Sequence, residues 1–210
     1  MFRTGRIWLA LATTALFQAS VFAAFSYFSP LLTRVAGLDP DAVPLALVGF
    51  GVGAFVGVTV GGRIADRNLF GNLLGSLAAT AASLLLLAAV ASVPWAAVGA
   101  VLLVGMSAFS IAGALNARVF QIAADAPTLA ASMNTAAFNV GNAVGPALGG
   151  AVIALGLGYR APLFVGVALV LGAVATALVA MRREGIRVRR AAPSAGPVVT
   201  VPAEACCAAD

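Results

Sequence analysis

Polar side chains are scarce in these 210 residues, so those inside apolar runs are the ones with chemistry to offer. Thr14, Gln18, Val21 and Phe25 fall at i, i+4, i+7 and i+11, one helical face, with Phe22 adjoining it. An amide beside aromatics suits the lining of a cavity for an amphipathic, mostly apolar solute; it equally suits a buried glutamine bonded to a neighbouring helix. At about 100° per residue, Thr135, Asn139, Asn142 and Pro146 share a second face. Two amides and a hydroxyl are costly against lipid, so this face turns to protein or a water-filled cavity, as solute contacts or as interhelical hydrogen bonds. Ser107 and Ser110 carry a weaker signal, because serine readily bonds its own backbone.

A second cluster is charged. In Gly61-Gly62-Arg63-Ile64-Ala65-Asp66-Arg67-Asn68 one acid is flanked by two arginines. It reads as a solvated ion pair worth roughly 0 to 1 kcal/mol, or as a clasp holding neighbouring helix ends in one conformational state, with Arg118 and Asp125 as counterparts. Elsewhere the inventory excludes chemistry. The chain has no histidine, and no span contains Asp or Glu, which removes most metal and acid/base chemistry and argues against an enzyme. Cys206 and Cys207 are adjacent and isolated in the tail, where a reducing cytoplasm leaves them as thiols. No metal and no cofactor is expected.

The elements that must hold these groups are membrane helices. The composition is 62% hydrophobic and 9% charged, and the mean hydropathy is +1.06; ordinary globular domains are about 45 to 50% apolar and about 25% charged. Six uncharged runs cover roughly residues 7 to 32, 43 to 62, 69 to 91, 94 to 115, 128 to 155 and 161 to 181. Each is near or above the roughly 20 residues a helix needs to cross. None shows the two-residue alternation of a barrel strand. Arg3 and Arg6 ahead of Ile7 to Phe17 resemble a signal peptide, but the apolar run continues through Phe28, so a first transmembrane helix is the better reading.

The net charge of +5 reports topology, not nucleic acid. With six crossings, Arg3, Arg6, Arg63, Arg67, Arg118, Arg182, Arg183, Arg187, Arg189 and Arg190 fall on one side, and only Arg34 and Arg160 on the other. Arginines collect in the cytoplasm, so both termini are expected there, in a multi-pass protein of the plasma (inner) membrane. Residues 1-183 form the bundle; residues 184-210, rich in Ala, Pro and Ser, form a disordered cytoplasmic tail whose arginines meet anionic lipid.

Two spans carry small-residue stripes. Gly49, Gly53, Gly57 and Gly61 recur every four residues in the second, and Gly141, Gly145 and Gly149 do so in the fifth, where Pro146 should kink the helix and Gly150 follows. Such stripes let two backbones approach closely, and in lipid they mark packing seams.

These residues resemble the major facilitator superfamily of secondary transporters. Gly62 to Arg67 is similar to that family's cytoplasmic Gly-x-x-x-Asp-Arg signature, and Gly141 to Gly150 to its Gly-x-x-x-Gly-Pro-x-x-Gly-Gly antiporter-type motif. The stretch from Asn116 to Arg160 resembles bacterial drug and sugar efflux permeases of the arabinose-efflux and chloramphenicol-resistance type. The resemblance spans about residues 5 to 183. It implies an all-α membrane protein, six transmembrane helices forming one half-bundle of the major facilitator fold as two inverted three-helix repeats. Asn68-Leu69-Phe70-Gly71-Asn72 departs from the Gly-Arg-Arg ending of a first half, and the fourth span lacks a first-half arginine, which points to the C-terminal half, helices seven to twelve.

The resemblance implies efflux of a small drug-like or sugar-like solute by alternating access. Gln18, Phe22, Phe25, Asn139 and Asn142 would line the solute path; Asp66, Arg67 and Arg63 would gate it. Gly49, Gly53, Gly57, Gly61, Gly141, Gly145, Pro146 and Gly149 would form seams docking onto six further helices, in a second half or a homodimer partner. The alternatives are a truncated, inactive fragment, or a six-helix protein with a regulatory or lipid-processing role. Solute, coupling ion and oligomeric state stay open.

Overall fold

The computed structural model describes residues 5–122 and 127–191. Six helical spans, Gly5–Arg34, Pro40–Arg67, Leu69–Val90, Pro94–Gln121, Thr128–Ala154 and Ala161–Arg183, are long and apolar enough to cross a membrane. Arg3, Asp125, Cys206, Cys207 and the tail beyond residue 191 lie outside the described residues.

The first span is α1 (Gly5–Phe25) followed by α2 (Phe28–Arg34), with a turn at Ser26 and Tyr27; a short 3-10 turn (Pro40–Ala42) leads into α3 (Val43–Arg67). Then come α4 (Leu69–Val90), α5 (Pro94–Ser110), α6 (Ala112–Ile122), α7 (Pro127–Ala154) and α8 (Ala161–Ala191). The fourth span is thus divided at Ile111 into α5 and α6.

Local sequence explains the ends. Asn68 is the single residue between α3 and α4; its Oδ1 accepts the Gly71 N–H at 2.8 Å, capping α4. Pro94 opens α5, where its missing N–H costs nothing. Gly156 and Gly158, both at φ +80°, turn the chain from α7 into α8 with a left-handed backbone that glycine adopts without a side-chain clash.

Exchanging the first three spans for the last three maps the packing onto itself. α3 packs chiefly on α5, and its counterpart α7 packs on α1; α1 packs on α8 as α5 does on α4; the third and sixth spans, α4 and α8, meet each other. This is the pattern of two inverted three-helix repeats.

The glycine stripes form the two matching seams, and here the structure corrects the expectation that they face a second bundle. A β-carbon on Gly53, Gly57 or Gly61 would strike the carbonyl oxygens of Leu102, Met106 and Ser110, successive turns of α5. One on Gly141 would lie 2.6 Å from the Gln18 Cβ, one on Gly145 would strike the Ala19 carbonyl, and one on Gly149 would lie 2.6 Å from the Tyr27 ring. Gly49, at the outer end of its stripe, meets nothing within 4 Å. The physical reason is that a helix lacking side chains on one face gains dispersion contact from the nearest helix, and within one bundle that neighbour is already at hand.

α7 also runs unbroken through Pro146. The Tyr27 hydroxyl donates to the Pro146 carbonyl at 2.8 Å, with its ring seated over Gly149 and Gly150. What the bundle leaves uncovered are the opposite faces of α3 and α7: Val48, Val52, Phe55 and Val56 on one, Val140, Val144 and Leu148 on the other. In the most apolar stretch of each, 22% of residues are buried, against 61% in the first span.

Candidate solute pocket

A cavity of about 350 Å3 lies near the middle of the spans, between α1, α3, α5, α6 and α7. Six phenylalanines line it, Phe17, Phe22, Phe25, Phe50, Phe109 and Phe138, with Val21, Ile111, Leu115 and two alanines between them; among the described residues Gln18 is the one polar side chain in the lining. The seams put these rings together. Gly105 of α5 takes the backbone carbonyl of Phe50, which draws α3 in, and one turn later the Phe50 and Phe109 rings meet edge to face with centroids 6.0 Å apart. Phe25 lies 5.0 Å from Phe50 and 5.7 Å from Phe22. Phe28, buried behind both, contacts Phe25 at 5.7 Å and Phe50 at 5.9 Å and fixes the wall.

Gln18 owes its position to Gly141, which makes room for its Cβ against α7. The next residue of α7, Asn142, then accepts a hydrogen bond from Gln18 Nε2 at 2.8 Å through its Oδ1. Gln18 is thus at once an interhelical partner and part of the cavity wall. Asn139 is exposed on α7 and lies outside the cavity lining, as does Thr135, whose hydroxyl bonds the Ala131 carbonyl of its own helix.

One turn toward the N-terminus of α1, a chain of amides links three helices beside the pocket. The Thr14 hydroxyl donates to Asn134 Oδ1 at 3.2 Å, and Asn134 Nδ2 donates to Asn116 Oδ1 at 2.8 Å, so α1, α7 and α6 are tied by one side chain. A second polar ladder joins α4 and α5: Asn72 donates to the Ser110 carbonyl at 3.0 Å, Ser110 donates to the Ser76 hydroxyl at 2.7 Å, and the Ser83 and Ser107 hydroxyls share a bond of 2.9 Å. Ser107 and Ser110 thus bond both across helices and to their own backbone.

At the Arg63 end, all three charged side chains of the α3 terminus are exposed. Asp66 and Arg67 border a polar cavity of about 480 Å3 shared with Gly113, Ala117 and Gln121 of the fourth span; Arg63 is not in its lining. Arg118 is buried, its guanidinium 5.3 Å from the centre of the Phe70 ring. At the opposite end of the bundle Arg34 stacks 5.2 Å from the Tyr159 ring and donates to its hydroxyl.

Phe50, Phe109, Phe138, Tyr27, Asn134 and Asn72 were not singled out by sequence. Phe50 and Phe109 each sit three or four residues from a seam glycine, Gly53 and Gly105, a spacing that marks a ring at the edge of a close helix contact.

No family model matches the chain. It is 37% identical over 150 residues to the inner membrane transport protein YdhP of Escherichia coli K12, covering 71% of this chain and 39% of that protein. It is 38% identical over 167 residues to a chloramphenicol resistance protein of Streptomyces lividans, covering 77% and 41%. It is 34% identical over 173 residues to YtbD of Bacillus subtilis, named as an MFS-type transporter, covering 80% and 43%. In each case the chain spans less than half the relative's length.

Proposed function

Since the chain belongs to the major facilitator superfamily of membrane transporters, we propose that it supplies the second six-helix half of an efflux transporter, whose solute occupies the phenylalanine-lined pocket. The observation that carries this reading is the pocket itself, preformed at mid-span and holding one fixed amide among six rings. Two such bundles rock around a shared site, exposing it first to one side of the membrane and then to the other. Gln18, Phe22 and Phe25 contact the solute, Asn142 orients Gln18, and Asn139 lies on the side of α7 turned toward the second bundle. Asp66 and Arg67, with Arg63 beside them, latch the cytoplasmic end. A β-carbon built on Gly5 would lie 3.6 Å from the Arg183 guanidinium, so the start of α1 and the Arg183 end of the last span lie together, which supports a reading in which both termini share the arginine-rich cytoplasmic side.

The second bundle, a separate half or another copy, covers the bare faces of α3 and α7. The chain covers 39 to 43% of its relatives' length, which leaves room in them for such a bundle.

The name of the Streptomyces relative supplies a solute to try. In cells that make this chain, depleting it should raise accumulation of labelled chloramphenicol several-fold. Wild-type chain should reverse this and Phe25→Ala should not, while Leu86→Ala on the outer side of α4 should behave as wild type. Accumulation that ignores depletion contradicts the proposal.

A further inference from the structure

We propose that this pocket selects uncharged, flat aromatic solutes that carry a hydrogen-bond donor, and turns away both cations and sugars. The inference rests on the reading of the cavity as the solute site and narrows the drug-like or sugar-like class to one chemistry.

Three features of the lining carry it. First, among the described residues no ionisable side chain borders the cavity. A cation entering would shed water with no carboxylate to receive it, and phenylalanine faces, weaker than tryptophan in this role, return only part of that desolvation cost. Second, a sugar brings a hydroxyl on nearly every carbon, and each one buried without a partner is penalised. Gln18 can satisfy one of them. Third, the rings are already set at the tilted and edge-to-face angles that aromatic pairs favour: 42° between Phe25 and Phe50, 81° between Phe50 and Phe109. A flat ring fits between such walls without reordering them, so little binding energy is lost to reorganisation.

The donor requirement follows from Gln18. Its Nε2 is committed to Asn142, and its carbonyl oxygen accepts no bond from the described residues. The polar atom the side chain has left to offer is therefore an acceptor, which calls for an O–H or N–H on the solute.

The test uses the full chain in lipid nanodiscs and four small probes: 2-naphthol, 2-methoxynaphthalene, the N-methylquinolinium cation and lactose. Saturable binding above protein-free discs is measured for each. The expected order is 2-naphthol first, 2-methoxynaphthalene about fivefold weaker for want of one neutral hydrogen bond, and N-methylquinolinium and lactose weaker than 2-naphthol by at least about tenfold. Gln18→Leu should abolish the difference between the two naphthalenes, a readout that a general loss of packing would not produce. Phe25→Ala should weaken both, and Phe109→Ala, at a ring 39% exposed and so less needed for folding, should do the same with the thermal melt unchanged.

If N-methylquinolinium or lactose binds as tightly as 2-naphthol, and Phe25→Ala and Phe109→Ala weaken it, the site stands and the class is wrong. If 2-naphthol is preferred but no pocket variant alters its binding, the site reading itself is wrong. Saturable binding by none of the four overturns both.

Discussion

Asn134 shows how much one side chain holds. It is buried, 3% exposed, and both ends of its amide are used, one accepting from Thr14 on α1 and the other donating to Asn116 on α6. Interhelical bonds in membranes average about 0.6 kcal/mol each, so Asn134→Leu should cost about 1 kcal/mol; the Thr14 hydroxyl keeps its bond to the Ala10 carbonyl of its own helix, so no further penalty falls there. Thr135→Val, next to it on the exposed side, removes only a bond to its own helix and should change stability by less than about 0.5 kcal/mol. Denaturant titration in mixed micelles separates the two. Polarity inside an apolar run marked Gln18 and Asn142 as important from the sequence, and the structure bonds them to each other. It could not rank Asn134 with them or Asn139 below them. A helical sequence states which residues share a face, whereas partners depend on which neighbour that face meets.

At the scale of the element, the glycine spacing announced two close helix contacts but not their partners. A four-residue repeat defines a bare stripe on its own helix and says nothing of which way the stripe points in a bundle. The structure turns Gly53, Gly57 and Gly61 onto α5, and Gly141, Gly145 and Gly149 onto α1, leaving the larger side chains of α3 and α7 outside. Gly57→Val should therefore force the Met106 backbone aside and destabilise the bundle by about 3 kcal/mol or more, since overpacking a rigid contact typically costs about 1 to 3 kcal/mol and a backbone yields less than a side chain. Gly51→Val, two residues into α3's exposed side with nothing within 4 Å, should leave stability and yield near wild type. Thermal melts and monodispersity of the two purified variants read this contrast. Aggregation of both, or of neither, removes the distinction between seam and open face.

For the whole molecule, apolar run lengths were enough to foresee six membrane helices, because span length is set by the bilayer; the half-bundle of a major facilitator fold was implied by the resemblance of Gly62 to Arg67 and Gly141 to Gly150 to that family's motifs. The pocket was only half legible. Gln18, Phe22 and Phe25 come from one helix and were visible as a face; Phe50, Phe109 and Phe138 arrive from three others and converge only after the seams have formed. The faces left bare make a further statement about the assembly. A photoreactive residue in place of Phe55 on α3 or Val144 on α7 should capture a membrane protein of about one further bundle's mass, or a second copy of the chain. The same residue in place of Leu86 on α4 or Leu178 on α8 should capture lipid alone. Equal capture at all four would mean that α3 and α7 are ordinary lipid-facing helices.

The solute site itself can be read directly by photolabelling the chain in native membranes with an azide-bearing neutral aromatic probe and mapping the modified peptides. A solute held in the aromatic pocket places the label within residues 17 to 25, at Phe50 or within residues 108 to 115, and excess 2-naphthol removes it. Label that falls on the outer faces of α4 and α8, or that excess 2-naphthol leaves untouched, would contradict the assignment of this pocket as the place where the solute binds.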